Sequence, residues 1–324
     1  MRVLVTGGAG FLGSHLCDAL TARGDAVVCV DDLSSGRAEN VGQLLGVPGF
    51  EFVEADITTG LDLAGPFGAV AHLASPASPP EYLRRPLETL AVGSTGTRNA
   101  LAIAHRDGAR FLLASTSEVY GDPLLHPQPE EYWGNVNPIG PRSVYDEAKR
   151  FAEALTTAYR SARGLNAGIV RIFNTYGPRM SAGDGRIVTN FVTQALTGQP
   201  LTVYGDGSQT RSFCYVDDLI RGLVAMIDSA EPGPVNLGNP EEFTVGDFAR
   251  LVLSVTGSSS PIEHLPLPQD DPTRRRPVIT RAAERLGWQL QIGVREGVSR
   301  TVEWLRSRPG ELAGAASPRP AGAQ

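Results

Sequence analysis

The chain has 324 residues, about twice an ordinary single-domain length, with 41% hydrophobic and 20% charged residues, a balance that excludes a wholly disordered chain. Its net charge of −6 and pI near 5.5 exclude a general binder of nucleic acid or anionic membranes, which needs a basic surface. Phosphate recognition must then be local, made by a few placed arginines or backbone amides.

From the first residues, short apolar runs alternate with helical patterns. Strands are expected at Arg2–Thr6, Ala26–Val30, Phe50–Val53, Ala69–Leu73, Arg110–Ser115 and Gly168–Ile172. These runs are continuously apolar, the pattern of strands covered on both faces of a parallel sheet. Ser14–Arg23, Thr89–Asp107 and Ser143–Ala162 supply crossover helices between them. The alternation predicts an α/β fold, a Rossmann-type doubly wound parallel sheet, over residues 1–174. Beyond it, helices are expected at Ile187–Thr197, Val216–Ser229 and Val245–Thr256 in a smaller, irregular C-terminal lobe over 175–308. Part of 214–239, notably Pro234–Leu237, is expected to return to the sheet. Residues 309–324, rich in Ala, Gly, Pro and Ser, read as a disordered tail.

Three widely spaced cysteines, Cys17, Cys29 and Cys214, form no C-x-x-C pair and predict reduced thiols with no metal. No stretch approaches the ~20 apolar residues that span a bilayer, and no leader-like segment precedes the first strand. The expectation is a cytoplasmic protein.

Directly after the first strand, Gly7, Gly10 and Gly13 give G-x-x-G-x-x-G, opening the first helix. Glycines there allow a tight turn and let backbone amides approach a pyrophosphate at the positive helix end. Asp31 and Asp32 close the second strand, where a carboxylate accepts bonds from the adenosine ribose and repels a 2′-phosphate. That favours NAD over NADP, with nearby Arg37 keeping the alternative open. Asp56 and Ile57, after the third strand, are expected to face the adenine.

Tyr145 and Lys149 lie four apart on one helical face, an arrangement in which an ammonium can favour the phenolate. Ser143 is expected to begin that helix, with Asp146 at capping-box spacing. Ser115-Thr116-Ser117-Glu118-Val119-Tyr120-Gly121 places hydroxyls and a carboxylate at the end of the fifth strand.

With the glycines, this layout resembles the extended short-chain dehydrogenase/reductases, and most closely the UDP-glucuronate decarboxylases. The matching runs are H-L-A-S-P-A-S-P-P from His72, S-T-S-E-V-Y-G-D-P from Ser115 and the stretch from His126 through Arg150. They continue from Arg171 (R-I-F-N-T-Y-G-P-R-M), Asp184, Leu201 (L-T-V-Y-G-D-G-S-Q-T-R-S-F) and Val235, covering nearly the whole chain. The resemblance implies oxidation of UDP-glucuronate at carbon 4 by tightly bound NAD, loss of carbon dioxide and re-reduction to UDP-xylose.

It implies Tyr145 as base, Lys149 holding the phenolate, and Thr116 or Ser117 stabilising the enolate oxygen. Glu118 would assist carboxylate loss and later protonate carbon 5. Cofactor contacts carry over to Phe11, Leu12, Ser35, Gly36, Leu73, Ser75 and Arg179. UDP contacts carry over to Asn174, Arg186, Tyr204, Arg211 and Arg275. A homodimer built on Thr89–Asp107 and Ser143–Ala162 is implied as well. The rival readings are a UDP-hexuronate 4-epimerase, an NDP-sugar 4,6-dehydratase, and a weakened NAD-binding regulatory protein. Ser117-Glu118 discriminates, because the dehydratases carry Asp-Glu there and simple epimerases generally lack the Glu. Three departures stand out: Gly93 where relatives have Asn, Ala148 where they have Gly, and Val278 where they have Asp.

Overall fold

A computed structural model of the chain describes residues 1–267 and 274–315. The first half runs β1 (Arg2–Thr6), α1 (Phe11–Ala22), β2 (Ala26–Asp31), β3 (Phe50–Glu54), β4 (Ala69–His72), α2 (Pro79–Arg84), α3 (Pro86–Ala91), α4 (Thr97–Asp107), β5 (Arg110–Thr116), α5 (Ser143–Arg163) and β6 (Ala167–Ile172). There follow β7 (Thr175–Tyr176), α6 (Ile187–Thr197), β8 (Leu201–Tyr204), β9 (Thr210–Ser212), β10 (Cys214–Tyr215), α7 (Val216–Asp228), β11 (Val235–Leu237), β12 (Glu242–Thr244) and α8 (Val245–Thr256). The described chain closes with β13 (Ile262–Leu265), β14 (Arg274–Arg275), α9 (Thr280–Leu286), α10 (Val294–Arg306) and α11 (Pro309–Ala315).

Seven parallel strands form the sheet, in the order β11-β6-β5-β4-β1-β2-β3. The order reverses between β1 and β4, which opens a crevice at the carboxyl ends of those two strands. Every residue of β5 is buried, as are Val3 to Thr6 of β1, because apolar layers cover both faces. Leu16, Cys17 and Leu20 of α1 and Leu219 and Leu223 of α7 fill one side. Ala100, Leu101 and Ala104 of α4 and Ala152 of α5 fill the other. β11 returns to the sheet edge beside β6, as Pro234–Leu237 suggested. The remaining short strands pair among themselves, as β12-β9-β14, β13-β8 and β10-β7.

Two expectations are corrected. Pro309–Ala315 is helix rather than tail: Leu312 packs onto the larger core cluster and Glu311 reaches Arg37, contacts that composition alone does not reveal. Residues 316–324 of that expected tail lie outside the described residues. The helix expected over Thr89–Asp107 starts earlier, at Pro86, and is interrupted by a π turn at Val92–Gly96.

That turn explains two of the three sequence departures. A Cβ added at Gly93 would lie 2.6 Å from Ala148 Cβ and 3.0 Å from the Ala148 backbone. The side chain absent at 93 therefore makes room for the methyl gained at 148, on the helix carrying Tyr145 and Lys149. Gly93→Asn should destabilise the fold by about 1–3 kcal/mol through overpacking, and Ala148→Gly should recover most of that loss. Denaturant unfolding of the two single variants and the double variant checks this; additive losses would contradict the contact.

Candidate active site

β1 enters a tight turn at Gly7, whose φ of +72° favours glycine. A Cβ there would lie 2.6 Å from the Ala74 amide nitrogen, and one at Gly13 would lie 2.0 Å from the Gly7 carbonyl. Gly10 caps α1 without any side-chain bond, and no acidic residue occupies the first turn. The first amide bond of the helix runs from Ser14 to Gly10, so Phe11, Leu12 and Gly13 keep amides without a partner inside the helix. A closed glycine cradle under an uncapped helix end fits a dinucleotide pyrophosphate.

Asp31 is buried and accepts from the Ala9 and Leu33 amides, each at 2.9 Å, which ties the glycine turn to the end of β2. Burial pushes its carboxyl above the usual range. Asp32 is exposed and accepts from the Ser34 amide. Gly36 lies against Asp31, where a Cβ would come 2.7 Å from the carboxylate, and Ser35 is exposed beside it. The Arg37 amide donates to the Ala9 carbonyl at 3.0 Å.

Asp56 caps its own turn, accepting from the Thr58 amide and hydroxyl. Ile57 is buried, and Gly96 of the π turn lies against it. The Leu73 amide donates to Thr6, and Ser75 is half-buried. Arg179 pairs with Asp18 of α1 at 2.5 Å while its Nη1 stays buried without a partner. His15 of α1 meets the Pro178 carbonyl at 2.9 Å, so the loop after β7 is fastened to the cofactor helix.

Across the crevice, β5 delivers Thr116, Ser117 and Glu118, and α5 delivers Tyr145 and Lys149. The Thr116 hydroxyl accepts from the Glu118 amide at 3.2 Å and lies beside the Tyr145 phenol. Burial pushes that phenol up to about 12, with Thr116 opposing the rise. Lys149 donates to the Ala114 carbonyl at 3.0 Å, and its Nζ lies 6.0 Å from the Tyr145 ring centre. Burial lowers the Lys149 ammonium to about 8. The four-residue spacing thus brings the Lys149 ammonium to the Tyr145 ring.

Glu118 sits inside an ion cluster. Arg142 donates to it at 2.7 Å, and Arg275 pairs with it at 3.0 Å. Burial pushes the carboxyl up, but the Arg275 and Arg142 guanidinium groups outweigh that and hold it well below the usual range. A carboxylate so held rests ionised. Arg275, expected at the diphosphate, is buried and donates to Ser117 Oγ and the Gly121 carbonyl, each at 3.0 Å.

Of the other UDP candidates, Arg186 is held by Asp184 through bonds of 2.5 and 2.9 Å, within electrostatic reach of Tyr145 and Glu118. Arg211 donates to the Thr210 carbonyl and bears electrostatically on Glu118. Asn174 is half-buried, its carbonyl accepting from Cys214, and Tyr204 is exposed.

Sequence reasoning missed several neighbours. Arg142 stands in a run already singled out, yet only the fold brings it to Glu118. Tyr82 stacks on Tyr145 with centroids 5.1 Å apart and planes within 7°. Ser143 is the first residue of α5 rather than its cap; Arg142 holds the cap position without a side-chain bond to the helix amides. Asp146 is buried rather than capping, and burial beside Glu118 pushes its carboxyl up. His72 bridges Thr6 and Thr97 at 2.7 and 3.1 Å, and burial lowers it to about 3, so it is a neutral strut. Among the described residues no group of three or more His, Cys, Asp or Glu could hold a metal.

The family model for the NAD dependent epimerase/dehydratase family matches residues 3–238. UDP-glucuronic acid decarboxylase 1 of Danio rerio is 52% identical over 304 residues, covering 94% of this chain and 72% of that protein. UDP-glucuronic acid decarboxylase 1 of Arabidopsis thaliana is also 52% identical, covering 95% of this chain and 70% of that protein. Among solved structures, the UDP-glucuronic acid 4-epimerase of Bacillus cereus with UDP-glucuronic acid and NAD superposes at a TM-score of 0.84 and 27% identity, covering 95% of this chain and 99% of that one. The dTDP-glucose 4,6-dehydratase of Streptomyces venezuelae with NAD gives 0.86 and 28%, covering 96% and 98%. The chain belongs to the NAD dependent epimerase/dehydratase family.

Proposed function

We propose that this member of the family is a UDP-glucuronate decarboxylase with tightly bound NAD, forming UDP-xylose through a 4-keto intermediate. The observation that carries the reading is the cluster at the end of β5: the Tyr145 phenol beside Thr116, with Ser117-Glu118 set between two arginines. Its curated relatives at about half identity carry the same activity in their names.

Bound NAD supplies the two-electron acceptor and donor for carbon 4. The glycine turn and the Phe11 and Leu12 amides would hold its pyrophosphate, Asp31 its adenosine ribose, and Lys149 its nicotinamide ribose. Tyr145 takes the carbon-4 hydroxyl proton and later returns it. Thr116 and Ser117 donate to the oxygen that becomes negative as carbon dioxide leaves. Glu118 neutralises Arg142 and Arg275, so that they do not clamp the substrate carboxylate in the ground state, where tight binding would slow its loss. Arg186 and Arg211 remain the arginines proposed for the diphosphate.

Purified protein given UDP-glucuronate should release carbon dioxide and yield UDP-xylose by NMR without net NADH. Galacturonate product without carbon dioxide would make it a 4-epimerase, and stoichiometric NADH release would make it an open-cycle oxidative decarboxylase.

A homodimer is proposed on Thr89–Asp107 and Ser143–Ala162, that is the end of α3, α4 and α5, which pack together while Leu90 and Phe151 stay exposed. Helical faces of that kind are buried when two copies pair as a bundle. Light scattering at micromolar concentration should give twice the chain mass; a monomer would contradict it. Among the described residues no helix is long and apolar enough to cross a membrane. The three free, buried thiols support a reducing, cytoplasmic location.

A further inference from the structure

α11 reaches back across the chain to the cofactor end of the sheet. Glu311 pairs with Arg37 at 3.0 Å, and Leu312 anchors the helix on the core beside α6 and α10. Arg37 is not an incidental surface cation. Its amide is bonded to Ala9 in the glycine turn, and Gly36 before it lies against the Asp31 carboxylate. Its guanidinium also lies 3.5 Å from Ser181 Oγ, on the loop that Arg179 fastens to α1. The residue at this position in dinucleotide folds decides how the adenosine ribose is read: a carboxylate accepts its hydroxyls, whereas a free arginine accommodates a 2′-phosphate.

We propose that Glu311 is a cofactor-specificity residue: by pairing with Arg37 it withholds a cation beside the ribose-reading Asp31 loop that could receive a 2′-phosphate, and so favours NAD over NADP. Two features support this. The Glu311 side chain is 19% exposed while Arg37 is 45% exposed, so the carboxylate is the more fixed member of the pair. Asp31 alone leaves the arginine available, because its oxygens accept from Ala9 and Leu33. The second carboxylate, brought by a helix far along the chain, completes the discrimination. The inference rests on the dinucleotide site and not on the decarboxylase reading.

The test needs no sugar substrate. Resident NAD is displaced by NADH or by NADPH, followed by nicotinamide fluorescence, in the wild type, Glu311→Gln, Arg37→Ala and the double variant. Glu311→Gln should tighten NADPH about fivefold at low salt, the scale of one exposed charge pair, with NADH within twofold. The gain should shrink in high salt and vanish when Arg37 is Ala. Equal tightening or weakening of both nucleotides would make α11 a strap without specificity and overturn the proposal. So would an unchanged ratio, or a gain that persists without Arg37.

Discussion

Tyr145→Phe should lower UDP-xylose formation by ~10³-fold or more and abolish the first oxidation along with everything after it. The size follows from the role, since losing a positioned base costs ~10²–10⁴-fold. The substitution is otherwise mild. The ring keeps its stack on Tyr82, and Thr116 keeps its bond from the Glu118 amide. Burial holds the phenol at about 12, so it rests protonated at neutral pH and needs a cation to act as a base. Lys149, its ammonium lowered to about 8 by burial and bonded to Ala114, lies 6.0 Å from the ring centre. Bound NAD would add the positive charge of its nicotinamide and so couple proton removal to cofactor binding. Single-turnover nicotinamide absorbance on mixing with UDP-glucuronate measures the step. Normal absorbance change in Tyr145→Phe would remove the residue from the oxidation.

What the sequence disclosed divides along chain distance. The strands of the sheet were legible because burial on both faces demands an unbroken apolar run, and their boundaries moved by only a residue at the ends of β2 through β6. The glycine turn and the Tyr145–Lys149 pair were legible because strand, turn and helix follow one another locally. Charge pairing was not. Arg142 and Arg275 meet Glu118 from 24 and 157 residues away, and nothing local distinguishes an arginine for a diphosphate from one for a carboxylate. The same blindness hid α11, whose short Gly- and Ala-containing sequence becomes a helix only against α6, α10 and Arg37. Gly93 and Ala148 looked like two separate departures; a tertiary contact makes them one exchange.

Glu118→Gln should separate oxidation from decarboxylation. The amide keeps the size of the side chain and can still bond Arg142, but it withdraws the charge that balances two guanidinium groups. Breaking one side of such a cluster leaves cations uncompensated. When substrate binds, its carboxylate becomes their nearest available counter-ion, provided the sugar sits as the mechanism requires. The variant should then bind UDP-glucuronate more tightly and still reduce bound NAD. Carbon dioxide release should fall by ~10²-fold, because binding energy spent on the ground-state carboxylate is forfeited as that charge leaves. The signature is a persistent rise in nicotinamide absorbance with a lowered KM. A Glu118 that merely donated a proton to carbon 5 would give a different pattern: carbon dioxide would leave at the normal rate and only the return to UDP-xylose would stall. The low proton affinity imposed by Arg275 and Arg142 argues for the first pattern. Timing carbon dioxide release against nicotinamide re-oxidation in one turnover decides between them, and normal rates for both would take Glu118 out of the mechanism.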